Sequence, residues 1–319
     1  MKTYSFFYLL FGFIFLTLAK PAFSKSKMEE TAVILSTPTG NISGTLLAGR
    51  QNEKTAVALI IAGSGPTDRD GNNPMMKNDA LKKLAIALSE NNIASLRYDK
   101  RGIAQSASAA KQESDLRFED YVTDAASWVD WLKKQNRFSK IIIIGHSEGS
   151  LIGMLAAASG ADLFISIAGA GQAADLVLKE QLSAQPQAVQ DLAFPIIDSL
   201  RQGKAVADVN PMLSALFRPS VQPYIISWFK YDPQREIRML PIPCLIIQGA
   251  RDIQVTTQDA EKLANANPKA QLVIVPKMNH ILKEVNSEER AENIATYSRP
   301  ELPLAAQLVE KIVAFIKAN

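Results

Sequence analysis

Cysteine and histidine are the scarcest chemically useful residues in this chain of 319, with one cysteine, Cys244, and two histidines, His146 and His280. A single cysteine excludes an intramolecular disulfide, and with only two histidines beside it no protein metal site is expected. Cys244 sits in Pro243-Cys244-Leu245-Ile246-Ile247, a buried-strand pattern in which a cysteine acts as a small hydrophobe. An excess of charge of one sign is also missing: 35 Lys and Arg face 32 Asp and Glu, for a formal charge of +3. Neither half carries a sustained basic run, so no nucleic-acid partner is expected. Internal repeats and low-complexity segments are absent. With 47% hydrophobic and 21% charged residues, the composition fits neither a disordered chain nor a multi-span membrane protein.

The one long apolar run is at the start. Met1-Lys2-Thr3 leads into Tyr4 to Ala19, and Ala22-Phe23-Ser24 then offers small residues at both positions a signal peptidase reads. The pattern predicts a secretory signal peptide over residues 1–24 with Lys25 as the mature N-terminus. An uncleaved anchor helix is the alternative, although the run is short for spanning. No cysteine lies near its end, which disfavours lipid attachment. The expectation is an exported protein, periplasmic or secreted, with no stable membrane insertion after cleavage; losing Lys2 and Lys20 lowers the formal charge from +3 to +1.

Beyond Lys25 the chain alternates strand and helix. Thr31 to Leu35 and Asn41 to Leu47 predict a hairpin around Pro38 and Gly40. Val57 to Ala62 is a continuous apolar strand that opens into the polar loop Gly63-Ser64-Gly65-Pro66-Thr67-Asp68-Arg69-Asp70-Gly71. A helix over 79–91, a strand over 93–98, an amphipathic helix over 116–134, a strand through Ile141 to Ile144 and a strand over 163–167 follow in turn. Such alternation predicts an α/β fold with a mostly parallel, doubly wound sheet. From Gln172 to Leu240 the alternation stops, and several helices broken by prolines are expected there, either as an inserted cap or as further packing layers. It resumes with a strand at 244–248, a helix at 258–266, a strand at 272–275 and a closing helix over 303–317 with Pro303 in its first turn. The division is thus 25–171 for the first part of the core, 172–240 for the cap and 241–319 for the second part.

The chemistry concentrates at Ile144-Gly145-His146-Ser147-Glu148-Gly149, where a buried strand runs into Gly-x-Ser-x-Gly and an apolar helix follows at once. Flanking glycines allow a tight strand-to-helix turn that lifts the Ser147 hydroxyl clear of the sheet, which makes it the candidate nucleophile. A serine hydroxyl needs a base, and histidine suits that task near neutral pH. His146 adjoins Ser147 in the elbow and leaves the backbone on another side, so His280, just after the last strand, is the expected base. The acid that holds the imidazole is expected at Asp252, at the end of the strand containing Cys244, with Asp259 in the following helix as the alternative. Attack on a carbonyl builds charge on oxygen, which two backbone N–H groups would stabilise: that of Glu148, and one from Gly63-Ser64-Gly65, assigned to Ser64.

Together, Gly63-Ser64-Gly65-Pro66-Thr67-Asp68-Arg69-Asp70-Gly71-Asn72, Arg97-Tyr98-Asp99-Lys100-Arg101-Gly102, Gly145 to Gly149, Gly249 to Asp252 and Asn279-His280 resemble the α/β-hydrolase superfamily from about Ala56 onward. The nearest resemblance is to a bacterial carboxylesterase group described as serine-aminopeptidase-like or dienelactone-hydrolase-like. It implies hydrolysis of carboxylic esters through an acyl-enzyme without cofactor, and it carries nucleophile, acid and base to Ser147, Asp252 and His280 and the oxyanion donors to Ser64 and Glu148. Ala62-Gly63 stands where the common form of the oxyanion loop has His-Gly. Small-molecule esters of short to medium acyl chains are the expected substrates, with Trp228 and Phe229 of the cap shaping the acyl pocket. A peptidase or amidase on the same residues, with Asp175, Glu180 or Asp191 pairing a substrate amine, is the second reading. A binding module on a hydrolase scaffold is the third.

Overall fold

The computed structural model describes residues 28–49 and 54–319, so the segment expected to be a signal peptide lies outside the described residues. Among the described residues no helix is long and apolar enough to cross a membrane.

The chain opens with strands β1 (Glu29–Thr37) and β2 (Gly40–Ala48), which pair antiparallel around the expected turn. Then come β3 (Thr55–Ile61), α1 (Ala80–Ser89), β4 (Ala94–Tyr98), α2 (Phe118–Lys134), β5 (Phe138–His146), α3 (Glu148–Ala156) and β6 (Leu163–Ile167). Five helices follow without a strand: α4 (Ala174–Ser183), α5 (Gln187–Arg201), α6 (Ser214–Phe217), α7 (Gln222–Trp228) and α8 (Pro233–Arg238). The chain closes with β7 (Cys244–Gly249), α9 (Thr257–Ala266), β8 (Gln271–Val275), α10 (Arg290–Ala295) and α11 (Ala306–Ala318).

All eight strands form one sheet in the order β1-β2-β4-β3-β5-β6-β7-β8. From β4 to β8 every pairing is parallel, which puts the C-terminal ends of six strands along one edge. Parallel strands need both faces covered, and the apolar runs supply two cores. Ala58, Ile60, Ile142 and Ile144 pack with α1 and α11 on one face, while Leu59, Ile61, Ile141 and Ile143 pack with α2, α3 and α9 on the other. Burying each isoleucine contributes roughly 1.5–3 kcal/mol, so this run makes β5 the natural centre of the sheet.

Helices α4 to α7 build a separate core from Ala193, Ile197, Leu200, Phe217, Ile225 and Phe229, whereas α8 packs its Ile237 against the sheet core. Pro195 does not break its helix as expected; it lies inside α5, where burial of Ile196, Ile197 and Leu200 offsets the missing backbone donor. Pro303 likewise lies outside the closing helix, because Lys283 bridges Leu304 and Ala305 N–H donates to Leu282 O (2.8 Å), holding this stretch extended until α11 begins at Ala306. Helix α10 was not foreseen: its six residues bury only Asn293, which leaves no apolar stripe to read.

Candidate active site

Four loops at the C-terminal edge of the sheet, after β3, β5, β7 and β8, converge on a cavity of about 180 Å³. Ser147, at the end of β5, occupies φ 55° and ψ −123°, a conformation disfavoured for any residue with a Cβ. It is held there by its N–H donating to Ile167 O at 2.9 Å and by the close approach of its neighbours. A Cβ on Gly145 would lie 2.2 Å from Gly149 O, and one on Gly149 would lie 2.4 Å from Ile61 O, so both glycines of the elbow are there for packing space. Gly63 is constrained less severely from the other side, since a Cβ on it would lie 3.1 Å from the Ser147 Cβ.

Ser147, Ser64, His146 and His280 all line this cavity. His280 Nδ1 is 2.8 Å from Asp252 Oδ2, and this carboxylate also accepts Gln248 Nε2 on the same oxygen and the N–H groups of Gln254 and Val255 on the other. Burial alone would raise the Asp252 pKa; the charge and hydrogen bond of His280, with the two backbone N–H groups, outweigh it and hold the carboxyl below its ordinary value. Asp259, the alternative acid, does not meet His280. Its carboxylate accepts Gly171 N–H (3.0 Å), Thr256 N–H (3.1 Å) and Thr256 Oγ1 (2.8 Å), and so caps the start of α9.

His146 turns away from Ser147, and its Nε2–H donates to the His280 carbonyl at 2.8 Å. Burial, reinforced by the nearby His280 charge, pulls its pKa down to about 4, so it stands as a neutral brace. Glu148 begins α3, so its N–H has no acceptor within the helix. Its side chain accepts Lys100 Nζ (2.9 Å) on one oxygen and the Tyr224 hydroxyl on the other. Lys100 Nζ also donates to Gly63 O at 2.6 Å. Charged residues brace the loop after β3: Arg69 pairs with Asp99 at 2.6 Å, and Asp68 accepts the N–H groups of Asp70 and Asn72.

Several supporting residues escaped the sequence reading. Asn279 donates to Asn293 Oδ1 (3.1 Å) and Thr296 Oγ1 (2.8 Å), and Asn293 donates to Arg251 O (2.6 Å), so α10 ties the Asp252 loop to the His280 loop. The expected acyl-pocket residues are elsewhere. Trp228 stacks on Phe118 and Phe229 is buried in the helical layer; the cavity is walled instead by Met76, Leu81, Ile281, Leu282 and Tyr297. The helical segment reaches the site through Tyr224, which donates to Glu148, and through Gln181 of α4, whose Nε2 donates to Gln254 O at 3.2 Å. Among the described residues no group of three or more His, Cys, Asp or Glu is placed to hold a metal ion.

Residues 77–216, which include Ser147, match the family described as serine aminopeptidase, S33. Esterase EstD of Thermotoga maritima is 26% identical over 238 residues, which are 70% of this chain and 54% of that protein; the chain thus spans about half the length of the curated relative it matches. Among solved structures, Est1E from Butyrivibrio proteoclasticus superposes with a TM-score of 0.57 at 17% identity, covering 90% of this chain and 99% of its own. The Pyrococcus furiosus esterase Pf2001 gives 0.55 at 12% identity, over 91% of this chain and 93% of its own. With this sheet order, this strand-to-helix elbow and these superpositions, the chain has an α/β-hydrolase fold.

Proposed function

We propose that the protein is a serine esterase that cleaves small carboxylic esters of short to medium acyl chains through an acyl-enzyme. The observation that carries this reading is the strained Ser147 facing the same cavity as His280, whose Nδ1 is 2.8 Å from Asp252. Ser147 Oγ attacks the ester carbonyl while His280 Nε2 takes its proton, and Asp252 holds Nδ1–H and stabilises the imidazolium. Charge on the carbonyl oxygen falls to the N–H groups of Glu148 and Ser64. Collapse of the tetrahedral adduct expels the alcohol with the proton from His280, and water repeats the sequence to release the acid. The relatives named as esterases support this reaction class.

The printed description of the matching family, serine aminopeptidase, favours a second reading on the same residues. A free α-amine needs a carboxylate beside it, yet none lines the cavity. The candidates are engaged elsewhere: Asp175 lies 3.5 Å from Arg201, Glu180 accepts Gln172 (2.6 Å), and Asp191 accepts Gln187 (2.8 Å). Esters are therefore the preferred substrates.

The test is hydrolysis of p-nitrophenyl esters from acetate to palmitate beside aminoacyl p-nitroanilides, with Ser147→Ala as control. A Ser147-dependent optimum among the shorter esters is expected; dominant anilide turnover would replace the reading with a peptidase, and full ester turnover by Ser147→Ala would remove Ser147 from it. We further propose that the protein works outside the cytoplasm, on the strength of the apolar run from Tyr4 to Ala19. Sequencing of the mature N-terminus is expected to begin at Lys25, and retention of Met1 would contradict it.

A further inference from the structure

The residue after Asp99 on the β4 loop is a lysine with 1% of its side chain exposed, and it touches both segments that frame the nucleophile. Lys100 Nζ donates to Gly63 O at 2.6 Å and to Glu148 Oε2 at 2.9 Å, and it lies 4.9 Å from the centre of the Tyr121 ring. Nothing in the proposed reaction uses this ammonium, which is absent from the cavity wall. Burying an ion pair here costs desolvation that an apolar pair would avoid, so stability alone is a weak reason for it.

Peptide geometry supplies a stronger one. In a trans peptide the carbonyl of one residue and the N–H of the next point in opposite directions. A lysine that holds the Gly63 carbonyl on the protein side therefore turns the Ser64 N–H toward the cavity, which Gly63 and Ser64 both line. Gly63 has no side chain to resist rotation, and without a hold on its carbonyl the 63–64 peptide is free to flip, presenting oxygen where a donor is required. The same ammonium fixes the side chain of Glu148, whose backbone N–H is the first of α3. Tyr224 completes the arrangement by donating to the second Glu148 oxygen from α7.

We propose that Lys100 is a positioning residue that sets the oxyanion hole, clamping the Gly63–Ser64 peptide and Glu148 so that both N–H groups face the developing charge. This deepens the esterase reading and rests on it. The clamp acts in the transition state, where the oxyanion exists, and leaves ground-state binding of the ester nearly untouched.

The experiment compares wild type with Lys100→Met and with Lys100→Met/Glu148→Gln, the double variant leaving no unpaired buried charge if the single one fails to fold. Three quantities are read on the best p-nitrophenyl ester: kcat and KM separately, the pH profile of kcat/KM, and inhibition by a trifluoromethyl ketone of matched chain length, which binds as an oxyanion adduct. The expected result is a fall in kcat on the order of 10²-fold or more, the scale of losing one oxyanion donor, with KM within about threefold. Ketone affinity should fall in parallel, and the apparent pKa of the profile should stay in place, because the His280–Asp252 pair is untouched. Wild-type kcat in a folded variant, a kcat loss with ketone affinity retained, or a displaced pH profile would each overturn the proposal. Failure of the underlying reading looks different: wild-type protein would then show no Ser147-dependent ester turnover at all.

Discussion

Two imidazoles share one wall of the cavity and differ in their surroundings. His280 has a carboxylate on Nδ1, whereas His146 has only a carbonyl to donate to and is held neutral with a pKa of about 4. Because that value lies below the ordinary 6.5, the unfolded chain takes up the proton first as pH falls. The stability His146 contributes is complete above about pH 6.5 and is lost on descending toward about 4. Urea midpoints at pH 7.5 and pH 5 should therefore converge in His146→Gln relative to wild type; an unchanged gap would mean that another group governs the acid side. Asp252, held below its ordinary 3.8, acts in a separate window: its contribution is present above that value and is lost only as pH falls below it. Asp252→Asn removes the charge that orients His280, and a kcat loss on the order of 10⁴-fold together with a lower unfolding midpoint at neutral pH is expected from steady-state kinetics beside thermal melts.

Elements carry the supporting structure, and here sequence reading was least complete. The strands, the elbow and the order Ser147, Asp252, His280 stand in apolar runs and glycine spacing, both of which are local. Helix α10 is invisible to periodicity, yet through Asn293 it joins the loops bearing Asp252 and His280. Lys100 stood in view as part of Tyr98-Asp99-Lys100-Arg101-Gly102, but its partners Gly63 and Glu148 are set by the register of β3, β4 and β5, which no local pattern encodes. Asn293→Ala removes the donor on the Arg251 carbonyl, at about 1–3 kcal/mol for a buried group left unpaired, and one of the two acceptors of the Asn279 amide, which keeps Thr296. A lower melting temperature together with a roughly tenfold fall in kcat is expected, since a modest misplacement of reacting groups is costly. A loss of stability with kcat intact would show that the two loops hold their positions without α10. Gly149→Ala tests the elbow: with Ile61 O 2.4 Å from the added Cβ, α3 must shift, and both folding yield and ester turnover should fall.

At the scale of the whole molecule, the open question is which part of the chain measures the substrate. Expecting Trp228 and Phe229 to do so assumed that aromatics in an inserted helical segment face the site. Instead they are consumed in holding that segment together and onto Phe118. Met76, Leu81, Ile281, Leu282 and Tyr297 come from the sheet-edge loops and from the helices immediately after them, in stretches too polar or irregular to mark as a pocket. Trp228→Ala should therefore lower stability without moving the optimum of an ester chain-length series, whereas Ile281→Ala, by enlarging the cavity, should move it toward longer chains. The opposite pattern would return the acyl pocket to the cap.

Covalent capture of the nucleophile tests the proposed acyl-enzyme most directly. The protein is treated with an organophosphonate serine probe and its intact mass and peptide map are read for wild type, Ser147→Ala and His280→Ala. One adduct on the peptide containing Ser147, absent in Ser147→Ala and formed far more slowly in His280→Ala, is the predicted result. Ester turnover that persists with no adduct on that peptide, or with the adduct on another residue, would contradict Ser147 as the group that carries the acyl chain.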